Sequence, residues 1–228
     1  MFSQSVDFTD QAKLHEMSYD PTVLLIGVLG VIPAQLLTLG LAWLVVTNFR
    51  KFSFRETLGW NWDGFKFWHC LVFLCGFYIL AGIANYYFPE QENDMLRILR
   101  SSRSAVYVVA FLATFTAPVV EEVIYRGVLY SAFQRTLGVP VGVSLVTILF
   151  ALVHIPQYYP SYSTIFLICL LSLVLTLVRV YTKNLLPCIA LHMVFNGLQS
   201  LLLILQPYLP TNLTDNPELT VSMLYFFK

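Results

Sequence analysis

Charged residues are scarce in this chain of 228 residues: 11% are Asp, Glu, Lys or Arg, whereas 57% are hydrophobic. A soluble domain carries about 25% charged residues, so the composition excludes an ordinary soluble globular protein and indicates a membrane protein. The formal net charge is zero, so the chain lacks the excess of basic residues that is typical of nucleic-acid-binding proteins. We therefore expect no nucleic-acid partner. The four cysteines form no C-x-x-C pair, and we interpret them as small buried hydrophobic residues rather than disulfide partners or metal ligands.

The sequence also lacks an internal repeat, a low-complexity tract and a linker long enough to separate a second domain. We therefore predict one integral membrane domain over residues 1–228. A helix needs about 20 apolar residues to cross the core of a bilayer. Apolar runs of suitable length lie at 23–47, 65–88, 106–125, 139–155, 164–181 and 185–209. The prediction is an all-α, polytopic transmembrane bundle of about six to eight membrane helices. The shorter run 219–227 is expected to cap the bundle or to lie at the membrane interface.

The distribution of basic residues predicts the orientation, because cytoplasmic loops of membrane proteins are enriched in Lys and Arg. If the spans alternate, one side of the membrane receives a basic set: Arg50, Lys51, Arg55, Lys66, Arg135, Arg179 and Lys183. The opposite side receives the acidic N-terminal arm and the C-terminal tail, so we expect the N-terminus outside and a multi-pass protein of the cell membrane. Arg97, Arg100 and Arg103 do not fit this pattern and leave open an interfacial helix near 95–104 or an additional span.

Three short polar segments are embedded in these apolar runs. Each ionisable side chain costs roughly 2.5–3.5 kcal/mol at the centre of a membrane-spanning helix, so such residues are normally clustered inside the bundle at a functional site. The segments have the patterns E-E-x-x-x-R, F-x-x-x-H and H-x-x-x-N, and their residues are Glu121, Glu122, Arg126, Phe150, His154, His192 and Asn196.

The first segment predicts an ion pair and a separate carboxylate. Glu122 and Arg126 stand one helical turn apart on the same face, and a buried arginine needs an acceptor, so we expect them to form a salt bridge that orders the site. Glu121 points about 100° away around the helix and is free to act as a general base. Pro118 marks either the first turn of a new helix or a kink. By itself, the Glu122–Arg126 pair is more often structural than catalytic.

The other two segments supply candidates for proton transfer and for oxyanion stabilisation. His154 and His192 are candidates because imidazole titrates near neutral pH. Asn196 shares a helical face with His192, and an amide beside an imidazole is suited to donate to the negative charge of a tetrahedral intermediate. Phe150 is expected to shape the wall beside His154. Each histidine alone is more often a hydrogen-bonded core residue, and Asn196 alone is equally suited to a hydrogen bond between helices.

The motifs E-E-V-I-Y-R-G, F-A-L-V-H and H-M-V-F-N, in this order, resemble those of the CAAX protease and bacteriocin-processing family of intramembrane proteases, which includes the type II CAAX prenyl endopeptidases and many bacterial Abi-type proteins. The resemblance covers residues 105–205, the expected protease core. It implies a glutamate-dependent endopeptidase without a cofactor. Its roles, carried onto this chain, are water activation by Glu121 and His154, oxyanion stabilisation by His192 and Asn196, and ordering of the site by Glu122 and Arg126.

The expected partners are membrane lipid and a peptide or protein substrate, with or without a lipid modification. Three alternatives stay open at this point. The first is a zinc metalloprotease with His154, His192 and a glutamate as ligands, although the chain has no H-E-x-x-H motif. The second is a non-catalytic membrane scaffold or immunity protein of the same family. The third is a transporter that uses the same residues as a proton relay.

The simple alternation of spans creates one conflict. It places Glu121 and His192 in the inner half of the bilayer and His154 towards the outer half. Tilted or short helices, or a re-entrant segment between residues 119 and 138, are the arrangements expected to bring them together.

Overall fold

A computed structural model describes residues 20–101 and 103–208, and within these residues the chain is helical and contains no strand. Six helices in this part are long and apolar enough to cross a membrane, which confirms the prediction of a polytopic helical bundle. The chain is therefore a multi-pass membrane protein. The run 219–227 and most of the acidic N-terminal arm lie outside the described residues.

The helices follow one another through short connections. In chain order they are α1 (Pro21–Leu29), α2 (Val31–Val46), α3 (Phe54–Leu58), α4 (Phe67–Tyr87), α5 (Asp94–Ser101), α6 (Arg103–Leu137), α7 (Val139–Tyr158), α8 (Tyr162–Thr182) and α9 (Leu186–Leu205). Asp20 starts α1 by accepting hydrogen bonds from the backbone N–H groups of Thr22 and Val23, with Pro21 at the first helical position. A single 3₁₀ turn follows α9.

Helix α6 is longer than the sequence predicted. We expected the third span to end near Tyr125, but the helix runs without interruption to Leu137, a length of about 52 Å at 1.5 Å per residue. The suggested re-entrant segment at 119–138 is therefore wrong. Two π-helical stretches, Leu112–Thr116 and Val123–Leu129, lie within α6. Pro118 sits between them, inside a continuous helix, and does not start a new one.

The length of α6 resolves the conflict in depth. Gly138, at a φ of +84°, reverses the chain between α6 and α7, and the last turns of α6 pack against α7. Glu121 lies 17 positions before this glycine and His154 lies 16 positions after it. In an antiparallel helical hairpin these two residues stand at nearly equal depth, because each residue rises by the same 1.5 Å.

Two hydrophobic clusters hold the remaining helices to the motif-bearing core. In the first, α4 packs against α8 and α9 through buried residues that include Leu74, Phe77, Leu171 and Phe195. The rings of Phe77 and Phe195 meet edge to face with centroids 4.6 Å apart. In the second cluster, α2 and α3 pack against α6 and the start of α9.

The short segment around α3 braces the turn between α8 and α9. The Leu185 N–H donates to the Gly59 carbonyl at 2.8 Å, and Arg179 Nη1 donates to the Leu58 carbonyl at 2.8 Å. Gly59 has a φ of +69°, and a Cβ at this position would lie 2.7 Å from the Lys183 carbonyl oxygen. Only glycine fits this approach without displacing the turn from which α9 begins.

Helix α5 is short and amphipathic, as the arginines near 95–104 suggested. Arg97 and Arg100 are exposed and pair with Glu92, with Arg100 Nη1 2.6 Å from the Glu92 carboxylate. On the opposite face, Met95 and Ile98 face the interior of the bundle. The membrane in which the protein resides and its orientation there stay predictions.

Candidate active site

The Glu122–Arg126 ion pair predicted from the sequence forms in the structure. Arg126 Nη1 lies 2.9 Å from Glu122 Oε1, and both side chains are completely buried. Three further guanidinium N–H groups donate to α8: the two of Nη2 to the carbonyl and hydroxyl oxygens of Ser172, both at 2.9 Å, and that of Nε to Thr176 Oγ1 at 3.3 Å. The Phe150 ring covers the guanidinium, with its centroid 4.7 Å from the Arg126 carbon Cζ. A buried charge is stable only when it is paired and hydrogen-bonded in this way.

His192 connects this ion pair to Glu121. Its Nδ1 lies 2.8 Å from Glu122 Oε1, and its Nε2 lies 3.8 Å from Glu121 Oε2. Because Glu122 is held as a carboxylate by Arg126, His192 Nδ1–H is the donor in the short contact. This bond fixes the plane of the imidazole ring. The longer separation exceeds a hydrogen bond, but it is short enough for one small group to touch both Nε2 and the Glu121 carboxylate.

His154 is oriented by its own helix. Its Nδ1 donates to the Phe150 carbonyl oxygen at 2.7 Å, which leaves Nε2 as the acceptor nitrogen of the neutral ring. The Phe150 ring lies between the two histidines, with its centroid 4.7 Å from the ring of His154 and 6.1 Å from that of His192. Phe150 thus forms part of the wall beside His154, as expected, and also contacts His192 and Arg126.

Asn196 is positioned by an irregularity in α6. In a regular α-helix the Ala113 carbonyl would accept from the N–H of Ala117, but in the π-helical stretch this N–H donates to Leu112. Pro118, the next residue, has no N–H to offer. The Ala113 carbonyl instead accepts a hydrogen bond from Asn196 Nδ2 at 2.8 Å. One of the two amide hydrogens of Asn196 is therefore committed to α6, and the other is free for a ligand.

A cavity of about 500 Å³ brings the four predicted catalytic residues together: Glu121, His154, His192 and Asn196 all line it. Its volume is within the range of about 300–1,000 Å³ that is usual for ligand pockets. Phe150 contributes to the wall, whereas Glu122 and Arg126 lie behind it. The difference between the two glutamates is clear from exposure: the side chain of Glu121 is 26% exposed and that of Glu122 is 0% exposed.

Residues 20–101 and 103–208 contain no group of three or more His, Cys, Asp or Glu side chains arranged to hold a metal ion. The two histidines use one ring nitrogen each for the internal hydrogen bonds described above.

Three features of the site were not anticipated from the sequence. Ser172 and Thr176 of α8 bind the guanidinium of Arg126, and the Ala113 carbonyl binds Asn196. The hydroxyl pair had a weak signal, because Ser172 and Thr176 stand one turn apart in the otherwise apolar stretch 165–178 of α8. The role of Ala113 had no signal of its own.

Comparison with known proteins agrees with this geometry. Residues 103–198 match the family model described as "Type II CAAX prenyl endopeptidase Rce1-like". No curated protein and no solved structure shows a significant match to the chain. The matched region contains α6, α7, α8 and the first two thirds of α9, and therefore all seven of the predicted site residues. The resemblance found in the three motifs is confirmed, because the match to this family model spans all three of them.

Proposed function

We propose that this chain is a glutamate-dependent intramembrane endopeptidase that needs no cofactor. The proposal draws on the match of residues 103–198 to the CAAX-type family model. One observation carries the proposal: Glu121, His154, His192 and Asn196, from three helices, line one cavity inside an apolar bundle. A carboxylate, two imidazoles and an amide are a set with which water can be activated and an oxyanion stabilised.

In the proposed reaction Glu121 is the general base. Its carboxylate takes one proton from a water molecule while the water oxygen bonds to the carbonyl carbon of the substrate. His154 Nε2 accepts a hydrogen bond from the same water and orients it. The carbonyl electron pair moves to oxygen, and the tetrahedral intermediate then breaks its C–N bond as the nitrogen receives the proton from Glu121. One water is consumed, and the products are a carboxylic acid and an amine.

The oxyanion is held by His192 and Asn196. Asn196 donates the hydrogen that is not used by Ala113. Since Nδ1–H of His192 is bound to Glu122, Nε2 donates only when the ring carries both protons, and in our proposal His192 is an imidazolium. Two oriented donors of this kind are worth about 10²–10³-fold each in kcat.

The proposed substrate is a peptide or protein segment that reaches the cavity from the membrane. Apolar side chains make up most of the cavity wall, including Phe77, Leu112, Leu167 and Leu171. This wall is suited to an apolar peptide segment or to a lipid group attached to it, and membrane lipid is the expected surrounding partner.

Cleavage by the purified protein tests the proposal. The substrates are two matched quenched-fluorescence peptides, one carrying a prenylated cysteine near its C-terminus and one carrying serine at that position. We expect wild-type protein to cleave at least one of them and Glu121→Gln to reduce kcat by 10³-fold or more, in line with the loss of a general base and its charge. Glu56→Gln, which changes an exposed carboxylate on α3, is the matched control and should keep full activity.

Full activity of Glu121→Gln overturns the assigned base. Cleavage that disappears after chelation and returns with zinc, with one equivalent of bound metal, would instead establish the metalloprotease alternative. The scaffold alternative would be favoured by two results together. The purified wild-type protein would cleave neither peptide, and Glu121→Gln would leave the phenotype of cells that carry it unchanged.

A further inference from the structure

The catalytic residues do not account for all the polar groups that face the cavity. Three glutamines, Gln35, Gln157 and Gln199, also line it. Among residues 20–101 and 103–208, none of their side-chain amides has a hydrogen-bond partner. Gln35 and Gln199 are partly buried and Gln157 is exposed, so the three amides are accessible to the hydrogen-bonding groups of a ligand that enters the cavity.

Two of these glutamines occupy equivalent places on two parallel helices. Helices α7 and α9 run in the same direction, because α8 lies between them in the chain and is antiparallel to both. Gln157 follows His154 by three positions on α7, and Gln199 follows Asn196 by three positions on α9. Each glutamine is thus displaced from a proposed catalytic residue by about one helical turn, a rise of about 4.5 Å towards the same end of the bundle.

The amides match the main chain of a peptide. A glutamine side chain presents one C=O and one NH₂ group, and the edge of an extended peptide presents N–H and C=O groups that point alternately to its two sides. An extended chain advances about 3.3 Å per residue, so a displacement of about 4.5 Å from the reaction centre corresponds to one or two residues. A peptide that lies between α7 and α9 can therefore reach a glutamine on each side.

We propose that Gln157 and Gln199 form a main-chain-binding subsite that holds the substrate in an extended conformation one or two residues from the scissile bond. The inference rests on the proposed function and extends it to the substrate backbone. The two glutamines are positioning residues, since they bind the main chain away from the reacting carbonyl. Such a subsite explains recognition that depends on peptide geometry, while the apolar wall of the cavity selects side chains.

The test pairs amide-to-ester changes in the substrate with glutamine-to-methionine changes in the full-length protein. In a set of reporter peptides, each main-chain N–H within three residues of the scissile bond is replaced in turn by an ester oxygen. Gln199→Met and Gln157→Met keep the side-chain length and remove the amide. Gln134→Met is the matched control, because Gln134 lies near the end of α6 and does not line the cavity.

We expect at least one ester one or two residues from the scissile bond to raise KM of the wild type about tenfold, as for one lost hydrogen bond, with kcat nearly unchanged. The same ester should raise KM of Gln199→Met or Gln157→Met less than twofold, because the partner is already absent. In Gln134→Met it should again raise KM about tenfold. If the glutamines have a merely structural role, the effects of the ester and of the Gln→Met change on KM multiply. Multiplicative effects at every ester position in both variants overturn the proposal.

A binding measurement without turnover distinguishes failure of the proposed function from failure of the glutamine subsite. The affinity of the same fluorescein-labelled peptides for Glu121→Gln protein in detergent is measured with and without each Gln→Met change. Coupling between an ester and a glutamine in Kd supports the subsite even if no peptide is cleaved by the wild type. Independent effects, or no binding of any peptide, overturn it.

Discussion

The buried ion pair behind the cavity allows a quantitative prediction. Glu122 and Arg126 are completely buried, and the guanidinium donates to Glu122 and to the two hydroxyl residues of α8. Removing one partner of a buried pair leaves an uncompensated charge and destabilises a protein by about 3–5 kcal/mol. We therefore expect Arg126→Met and Glu122→Gln to lower the free energy of unfolding by about this amount each.

The double variant separates charge burial from packing. With both charges removed, neither partner is left unpaired, so Glu122→Gln/Arg126→Met should be no less stable than either single variant. Two independent losses would instead add to about 6–10 kcal/mol. Reversible unfolding in mixed detergent micelles with increasing SDS measures these differences.

The same double variant should fold and yet be inactive, because His192 loses the carboxylate that orients its ring. Activity of the folded double variant close to that of the wild type would contradict the role assigned to Glu122. Destabilisation of the double variant by the full sum of the single values would show that the pair is not coupled, and would refute the reasoning from burial.

Two further predictions concern the neighbours of this pair. Asn196→Leu should reduce kcat about 10²–10³-fold in the peptide assay with a smaller change in KM, since it removes an oxyanion donor; an unchanged kcat would exclude this role. Phe150→Ala should lower the free energy of unfolding by about 3–5 kcal/mol, because the fully buried ring packs against Arg126 and both histidines; a loss below about 1 kcal/mol in the SDS titration would show that these contacts contribute little.

The local part of the site could be predicted from sequence because it depends on helix geometry alone. The one-turn spacing of Glu122 and Arg126 implied their pairing, and the rotation of about 100° between adjacent residues implied that Glu121 points elsewhere. The structure agrees on both points: Glu122 is sealed against Arg126, whereas Glu121 reaches the cavity.

The extent of α6 could not be predicted from hydropathy. The apolar run was expected to end near Tyr125, just before Arg126, and Gln134, Arg135 and Thr136 further along resemble a loop between spans. In the structure these residues continue the helix, and their segment packs against α7. Tertiary packing thus decided the end of the helix and removed the apparent conflict in depth between Glu121 and His154.

The non-local contacts had no sequence signal either. Glu122 and His192 are 70 positions apart, and Ala113 and Asn196 are 83 positions apart. Helical periodicity carries no information on which turns of two distant helices meet. The π-helical stretch that frees the Ala113 carbonyl depends on a change of hydrogen-bond pattern, and Pro118 was its sole trace in the sequence.

The most direct measurement of the central claim is hydrolysis of the reporter peptide in water enriched in ¹⁸O. The account predicts that wild-type protein adds one solvent oxygen to the new C-terminal carboxylate, seen as a mass increase of about 2 Da, and that Glu121→Gln forms no such product at a comparable rate. A cleaved peptide whose new carboxylate contains no solvent oxygen, or equal labelling rates for the two proteins, would contradict water activation by Glu121.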